Sequence, residues 1–465
     1  MVTALLETSS LRKNKISLTD YDYQKDIENR LLMAQFSHQD FAVLEEVLYS
    51  SLSIPIQKLA KNLDLTQEEL LPSLHKLASS ALFYIEKDTL IVDKERRKYF
   101  EAQIQKFEDD FRPGMEFLQN LLKKVPIHVL PSWYAISRTS DNIFDSLVEK
   151  HLLTPQIFQR YVLELNLGEP VLKSIIQDVY SADHFAIPSK ALMEKYQISK
   201  ELFEEYMLHL EFSFVCCISY QKKEGGWEEQ VTPFYEWKEY LSFLKQTEVH
   251  SIQEAVQSNK PHDFSFVEDL SLLLETTHKT PLSLTTSLSI SPTEIPELSQ
   301  DGPYLRTLIS KAILTRLAHE SQGKLHITDA GIDWLQTRPD QKALYLYRHP
   351  KNHILQKGIR LDTYSEKALR EAEKSIFRVL HKGWVLFDEF LKGVHVSLHE
   401  DTAVSLKRQG KNWKYALPEY SEEDLLLLKA VIFEWLFEAG LVQTGTYQGK
   451  DCFRVTTLGQ TLFAR

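Results

Sequence analysis

A pattern that recurs along the chain without gaps constrains this fold more than any single motif does. Laid over residues 191–210 at an offset of 45, residues 146–165 match at seven of twenty positions, among them Leu147, Glu149 and Lys150 on Leu192, Glu194 and Lys195, and Phe158 and Tyr161 on Phe203 and Tyr206. At an offset of 133, Ile54-Pro55 falls on Ile187-Pro188, Leu59 on Leu192, Leu65-Thr66 on Ile198-Ser199, Leu70 on Phe203, Leu74 on Met207 and Leu77 on Leu210. In each copy a short amphipathic helix ends near residue 63, 151 or 196. Thr66, Thr154 or Ser199 then offers a hydroxyl to the orphan backbone N–H groups of a second helix. Two short helices that share one core across a brief turn form a helix-turn-helix.

A second repeat adds strands. Residues 304–331 lie on 432–459 at an offset of 128, with Ala312-Ile313-Leu314 on Gly440-Leu441-Val442 and Leu325-His326-Ile327-Thr328-Asp329-Ala330-Gly331 on Phe453-Arg454-Val455-Thr456-Thr457-Leu458-Gly459. The order reads helix, strand, turn, strand, helix, with first strands at 313–317 and 441–443, turns at Gln322-Gly323 and Gln448-Gly449, and return strands at 325–328 and 453–456. Hairpins of the same kind are expected within 82–92 and 214–232. Pro281, Leu284, Leu288 and Ile290-Ser291 approximate the first helix and cap of the third unit. Trp384 to Leu391, followed by Ser421 after a long insertion, supply those of the last.

The expected fold is therefore mainly α with small β-hairpin wings (α+β), a tandem array of about four winged-helix units plus one wingless helix-turn-helix at 146–165. Arg112-Pro113-Gly114, the polar run 247–263 and Arg338-Pro339-Asp340 interrupt the periodicity. They divide the chain into an N-terminal winged helix over 1–110, a helix-turn-helix followed by a winged helix over 111–246, a winged helix over 263–340, and a basic connector with a C-terminal winged helix over 341–465. Glycine supports a helix-rich reading, because 15 in 465 residues is about half the usual share of a residue that tight turns and phosphate loops consume.

Three cysteines cannot build a disulfide framework, which fits a reducing compartment. The first residues carry an acid at Glu7 and no long apolar run before Arg12, unlike a secretory signal, so a cytoplasmic location is expected. No apolar stretch is long enough for a membrane span.

The net charge of −11 argues against nucleic-acid binding by the whole surface. Helix-turn-helix readers place the second helix in the major groove, where Arg, Lys, Asn or Gln reach base edges. Here those helices carry Glu68 and Glu69; Glu201, Glu204, Glu205 and Glu211; and Glu422, Glu423, Asp424 and Glu434. Acid in the first turn complements the helix dipole but repels phosphate, so these helices are expected to face protein. The 154–165 helix, with Gln156, Gln159 and Arg160, is the least hostile.

Between Gln341 and Lys414 the sign reverses, with 15 Lys or Arg against 8 Asp or Glu. Lys342, Arg348, Lys351, Lys357 and Arg360 occupy a stretch without acid, beside Tyr345 and Tyr347. Lys407, Arg408, Lys411 and Lys414 then lie next to Trp413 and Tyr415. Cations beside rings that can stack on bases suit a single-strand or junction contact, and Trp413 is grouped with these nine cations as a candidate nucleic-acid-binding residue. The other reading is a solvated loop whose two rings anchor it. Arg96-Arg97-Lys98 and Lys123-Lys124 read as ordinary solvated helix faces.

No P-loop or dinucleotide fingerprint, nucleophile elbow or Cys-x-x-Cys occurs. His349 and His353, and His395 and His399, share a four-residue spacing, the second pair reading as an alternating strand, but neither has a third ligand. Cys216-Cys217 reads as core. No catalytic residue, metal, cofactor or small-molecule substrate is expected.

The closing pattern from Trp435 to Phe463, with Phe453-x-Val455-Thr456-x-x-Gly459-x-x-Leu462-Phe463, preceded by His381-Lys382-Gly383-Trp384-Val385-Leu386-Phe387-Asp388, resembles the winged-helix domains of helicase-associated proteins of the XPB type and of the TFIIH-like subunit that accompanies that helicase. The resemblance covers about the last 200 residues. It implies a non-enzymatic accessory protein in a DNA transaction such as repair, transcription or replication. Such a protein would bridge a helicase- or polymerase-like partner, through the acidic helices, and single-stranded or forked DNA, through 341–415. The alternative is a protein-protein scaffold of the same modules without nucleic acid. Affinity that falls steeply with salt distinguishes the two.

Overall fold

The second helices begin at hydroxyls, as the sequence implies. Thr66 Oγ1 accepts from the Glu69 N–H at 3.3 Å while the Glu69 carboxylate accepts from the Thr66 N–H at 2.8 Å. Ser421 and Asp424 form the same reciprocal box. Thr154 and Ser199 accept from the N–H groups of Ile157 and Leu202, both at 3.2 Å. Each such cap contributes about 1 kcal/mol to a helix too short to be stable alone.

The computed structural model describes residues 16–139, 142–285, 290, 294–298, 302–348, 354–355, 358–399, 403–410 and 412–463. It is mainly helical with small antiparallel sheets and divides into two units. The first runs through Ser242 and includes Ser405–Ala416; the second holds Phe243–Val404 and the chain from Leu417.

In the first unit, strand Ser53–Pro55 leads into helices Ile56–Asn62 and Gln67–Ala78 and a hairpin of Phe83–Glu86 and Thr89–Val92. Strand Ile187–Pro188 likewise leads into helices Ser189–Tyr196 and Lys200–Phe212 and a hairpin of Cys217–Lys223 and Gly226–Thr232. In both sheets the leading strand pairs with the second hairpin strand, Ile54 opposite Leu90 and Ile187 opposite Val231. Between them, helix Ile143–Leu147 widens into a π-helical turn at Val148–Leu152 and is followed by helix Pro155–Glu164, with no hairpin after it.

The second unit repeats this order of pairing. Strand Leu282–Ser283 pairs with Lys324–Ile327, which pairs with Ala318–Ser321, after helix Gly302–Leu314. Strand Val385–Leu386 pairs with Lys450–Val455, which pairs with Val442–Tyr447, and Gln257–Ser258 adds a fourth strand. The Thr-x-x-Gly ending now has a physical reason. Thr328 and Thr456 each accept from the N–H of the glycine three residues on, at 3.1 Å. A Cβ on Gly331 or Gly459 would stand 2.2 or 2.3 Å from the carbonyl oxygen of Leu317 or Leu441, so the following helix meets the hairpin only where the side chain is hydrogen.

Several expectations need correction. Residues 313–317 are not a strand: the helix continues to Leu314, Arg316 turns the backbone at φ 62°, and the strand begins at Ala318. The leading segment of the third unit opens with a short strand, Leu282–Ser283, and a bridge from Leu284 to Ile290; Leu288 and Ser291, named for the first helix and cap, lie outside the described residues. His395 and His399 lie on irregular backbone, not a strand; His395 Nδ1 lies 2.9 Å from the Gly393 carbonyl oxygen and His399 Nε2 lies 2.8 Å from Asp424. Lys124 is not a solvated face residue, because its ammonium pairs with buried Asp26 at 2.8 Å.

The largest departure concerns acid. Glu204 and Glu211 of helix Lys200–Phe212 are fully buried inside the first unit rather than on a face offered to a protein partner. Arg30, on helix Tyr23–Met33 and itself 2% exposed, donates through Nε to Glu204 and through Nη1 to Glu211, both at 2.8 Å. Lys106 pairs with Glu211 at 3.1 Å, and Lys200 with Glu204 at 2.6 Å. Burial by itself would raise Glu211, but the charges of Arg30 and Lys106 outweigh it and hold the carboxyl at about 2.

Candidate nucleic-acid interface

The insertion between Phe387–Leu391 and Glu422–Ala430 contains a two-stranded hairpin, Ser405–Gln409 paired with Asn412–Ala416, that belongs to the first unit. Alternation sets its chemistry. Leu406 lies opposite Tyr415 and Lys407 opposite Lys414, so the apolar pair faces one way and the lysines the other. Leu406 and Tyr415 are buried, whereas Lys407, Arg408 and Lys414 are exposed.

The buried face is fastened to the helix pair that lacks its own hairpin. The Leu406 N–H donates to the Leu153 carbonyl at 2.7 Å, and the Tyr415 hydroxyl donates to the Leu152 carbonyl at 2.9 Å. The Tyr415 ring lies 5.7 Å from Tyr240 and 6.2 Å, edge to face, from Trp237. Trp413 is half-buried with its ring edge-on to Phe144 at 6.1 Å. Tyr415 acts as an anchor and Trp413 keeps only part of its ring exposed, so the hairpin offers limited free aromatic surface for stacking on a base. Nearby, Glu236 is buried, accepts from the Met115 N–H at 2.9 Å, and is pushed up to about 7 by burial.

Two lysines directly opposed across strands repel each other. Among the described residues no acid pairs with Lys407, Arg408 or Lys414, and Arg408 Nε donates only to the Gly410 carbonyl at 3.1 Å. At the cleft of this unit, by contrast, cations are committed. A cleft of about 530 Å³ at Phe36, Met193, Lys200, Trp227 and Glu229 is lined by charges that neutralise one another, with Lys200 on Glu229 at 2.6 Å and Lys223 on Glu228 at 3.3 Å.

The other sequence candidates fall in the second unit or outside the described residues. Lys342 is buried, donates to Ser271 Oγ at 3.0 Å and lies 5.0 Å from the centre of the Trp334 ring, so it is withdrawn from the surface. Arg360 is exposed but clamps Glu423, at 3.1 Å, which raises the guanidinium further above its ordinary value. Arg348 is exposed at the end of helix Pro339–Tyr347. Lys351, Lys357 and Lys411 lie outside the described residues.

Sequence reasoning missed the anchor points at Leu152 and Leu153 and the Arg30 cluster. One signal for the latter was present: Glu204 and Glu211 stand seven residues apart, on the stripe that carries Met207 and Leu208. Among the described residues no group of three or more His, Cys, Asp or Glu is placed to hold a metal ion. All three cysteines are buried, and burial raises their thiols, Cys452 to about 11. No described helix is long and apolar enough to cross a membrane. No family model matches the chain, and no curated protein matches it.

Proposed function

We propose that the protein is a non-catalytic accessory factor in a DNA transaction in a reducing, cytoplasmic setting, built of about four winged-helix units and one helix pair without a hairpin of its own. The shared sheet order, leading strand to second hairpin strand to first, supports reading the modules as winged helices. The observation that carries the functional reading is the outward face of the 405–416 hairpin, where Lys407 and Lys414 oppose each other on an anchored strand pair with no acidic partner among the described residues. Such a face gains most from a polyanion, because each phosphate relieves the repulsion and releases a counterion. A helicase- or polymerase-like protein is the proposed second partner.

The experiment is binding of the full chain to single-stranded, duplex and forked DNA across a salt series, beside a Lys407→Glu/Arg408→Glu/Lys414→Glu variant. Salt-sensitive binding lost in the variant is the expected result. No binding at low salt by either protein refutes the reading and leaves a protein scaffold.

A further inference from the structure

The helix pair 143–164 and the hairpin 405–416 are separated by about 240 residues of chain, yet they meet at one place. The hairpin is fastened to Leu152 and Leu153, the two residues immediately before the Thr154 cap of helix Pro155–Glu164. The helix pair that lacks a hairpin in sequence therefore has one in space.

That helix differs from the other second helices. Helices Gln67–Ala78, Lys200–Phe212 and Glu422–Ala430 carry acid in the first turn; Pro155–Glu164 carries none. Gln156, Gln159 and Arg160 are exposed, while Pro155, Phe158 and Tyr161 face the core. Helix Lys200–Phe212 is covered at Glu204 and Glu211 by Arg30, which removes that face from any groove. Helix Gly302–Leu314 also starts without acid, but its own hairpin carries Glu320 beside Lys324 in place of an all-cationic face. Among the described second helices, Pro155–Glu164 alone combines an acid-free, Gln- and Arg-bearing face, the positive end of its dipole, and a cationic hairpin with no acidic partner among the described residues at that end.

We infer that these two segments form one composite module that binds double-stranded DNA in preference to single strands, and this rests on the proposed DNA-binding role. Helix Pro155–Glu164 enters the major groove with Gln156, Gln159 and Arg160 toward base edges, and Lys407 and Lys414 hold the flanking phosphates. Dimensions agree: at 1.5 Å per residue, Leu153 and Arg160 are about 10 Å apart along the axis, within a major groove about 12 Å wide. The Tyr415 ring, which a single-strand platform would need free, is spent on anchoring, and Trp413 is half-buried against Phe144. Nearby acid lies at Asp145, next to Phe144, and at Glu149 and Glu164, all outside the first turn of helix Pro155–Glu164.

The test measures anisotropy of a short labelled duplex and of one of its strands with the full chain, with a helix-face variant, Gln159→Glu/Arg160→Glu, a hairpin variant, Lys407→Glu/Lys414→Glu, and an exposed control elsewhere in the unit, Lys190→Glu. All substitutions are at exposed positions, and unchanged circular dichroism checks the fold. The duplex is expected to bind about tenfold tighter than the strand, and each site variant to lose about tenfold or more while the control does not. The hairpin variant should also flatten the log-log salt dependence by about two. If the hairpin variant loses binding and the helix-face variant does not, or if the single strand binds as tightly as the duplex, the composite module is overturned and the DNA-binding role stands. If the wild type binds neither, both fall.

Discussion

Arg30→Met isolates the energetic role of the buried ion cluster. The guanidinium makes three hydrogen bonds, to Glu204 at 2.8 Å and to Glu211 at 2.8 and 3.3 Å, with every partner sealed from water. Removing one member of a buried pair costs about 3–5 kcal/mol, because the remaining charge keeps its desolvation penalty. Lys200 remains on Glu204, while Lys106 and the Ile218 N–H remain on Glu211, so the lower end, about 3 kcal/mol, is expected. With a urea m-value of about 2 kcal/mol/M, that lowers the midpoint of the first unit's transition by about 1.5 M. Glu211 also sets a pH signature. Its folded carboxyl titrates at about 2 against an ordinary 4.5, so its contribution is complete above 4.5 and is lost as pH falls through about 2. Without Arg30 the folded value rises toward the unfolded one, and the slope of stability in that window shrinks. Hydrogen exchange over Tyr23–Met33 and Lys200–Phe212 reports the same event locally. A loss below about 1 kcal/mol, with exchange unchanged over both helices, would falsify the view that Arg30 holds them together.

Other predictions follow the same logic. Glu236 is held neutral by burial to about 7 against an ordinary 4.5, so the unfolded chain ionises first and stability falls as pH rises between those values. Glu236→Gln keeps the acceptor for the Met115 N–H, at the cost of an unpartnered amide; melting at pH 8 should show a gain of about 2 kcal/mol that vanishes near pH 4. Gly459→Ala drives a methyl into the Leu441 carbonyl and should cost about 2–3 kcal/mol, read by denaturation of the second unit, whereas Gly410→Ala, with nothing near its Cβ position, should cost only about 1 for its positive φ. Tyr415→Phe removes the bond to the Leu152 carbonyl and strands a buried acceptor; about 1–2 kcal/mol of hairpin protection should disappear in hydrogen exchange over 405–416.

Much of the local structure was legible because its causes are local. Thr66, Thr154, Ser199 and Ser421 cap helices in whatever surroundings they occupy, since the donors they satisfy lie two or three residues away. Gln322-Gly323 and Gln448-Gly449 turn hairpins because both residues of each pair take positive φ, and glycine does so without strain. The misplaced strand at 313–317 shows the limit of pattern, since a short apolar run suits a helix end as well as a strand. Lys342 shows another: a Lys in a basic run is indistinguishable by sequence from its exposed neighbours, and only the packing around Trp334 and Ser271 withdraws it.

The sequence by itself determined the helix pairs within 56–78, 143–164 and 189–212, the caps at Thr66, Thr154, Ser199 and Ser421, the hairpin turns and the reversal of charge near the C-terminal third, all consequences of hydrogen bonds and periodicities spanning a few residues. The tertiary structure decided which charges face water and which segments act together. Arg30 meets Glu204 across 174 residues of chain, and Tyr415 meets Leu152 across 263. Such pairings depend on which apolar surfaces close over one another, and no short-range pattern encodes that choice. An acidic helix thus became part of an internal ion cluster, and a cationic loop became a hairpin anchored on a helix pair far away in sequence.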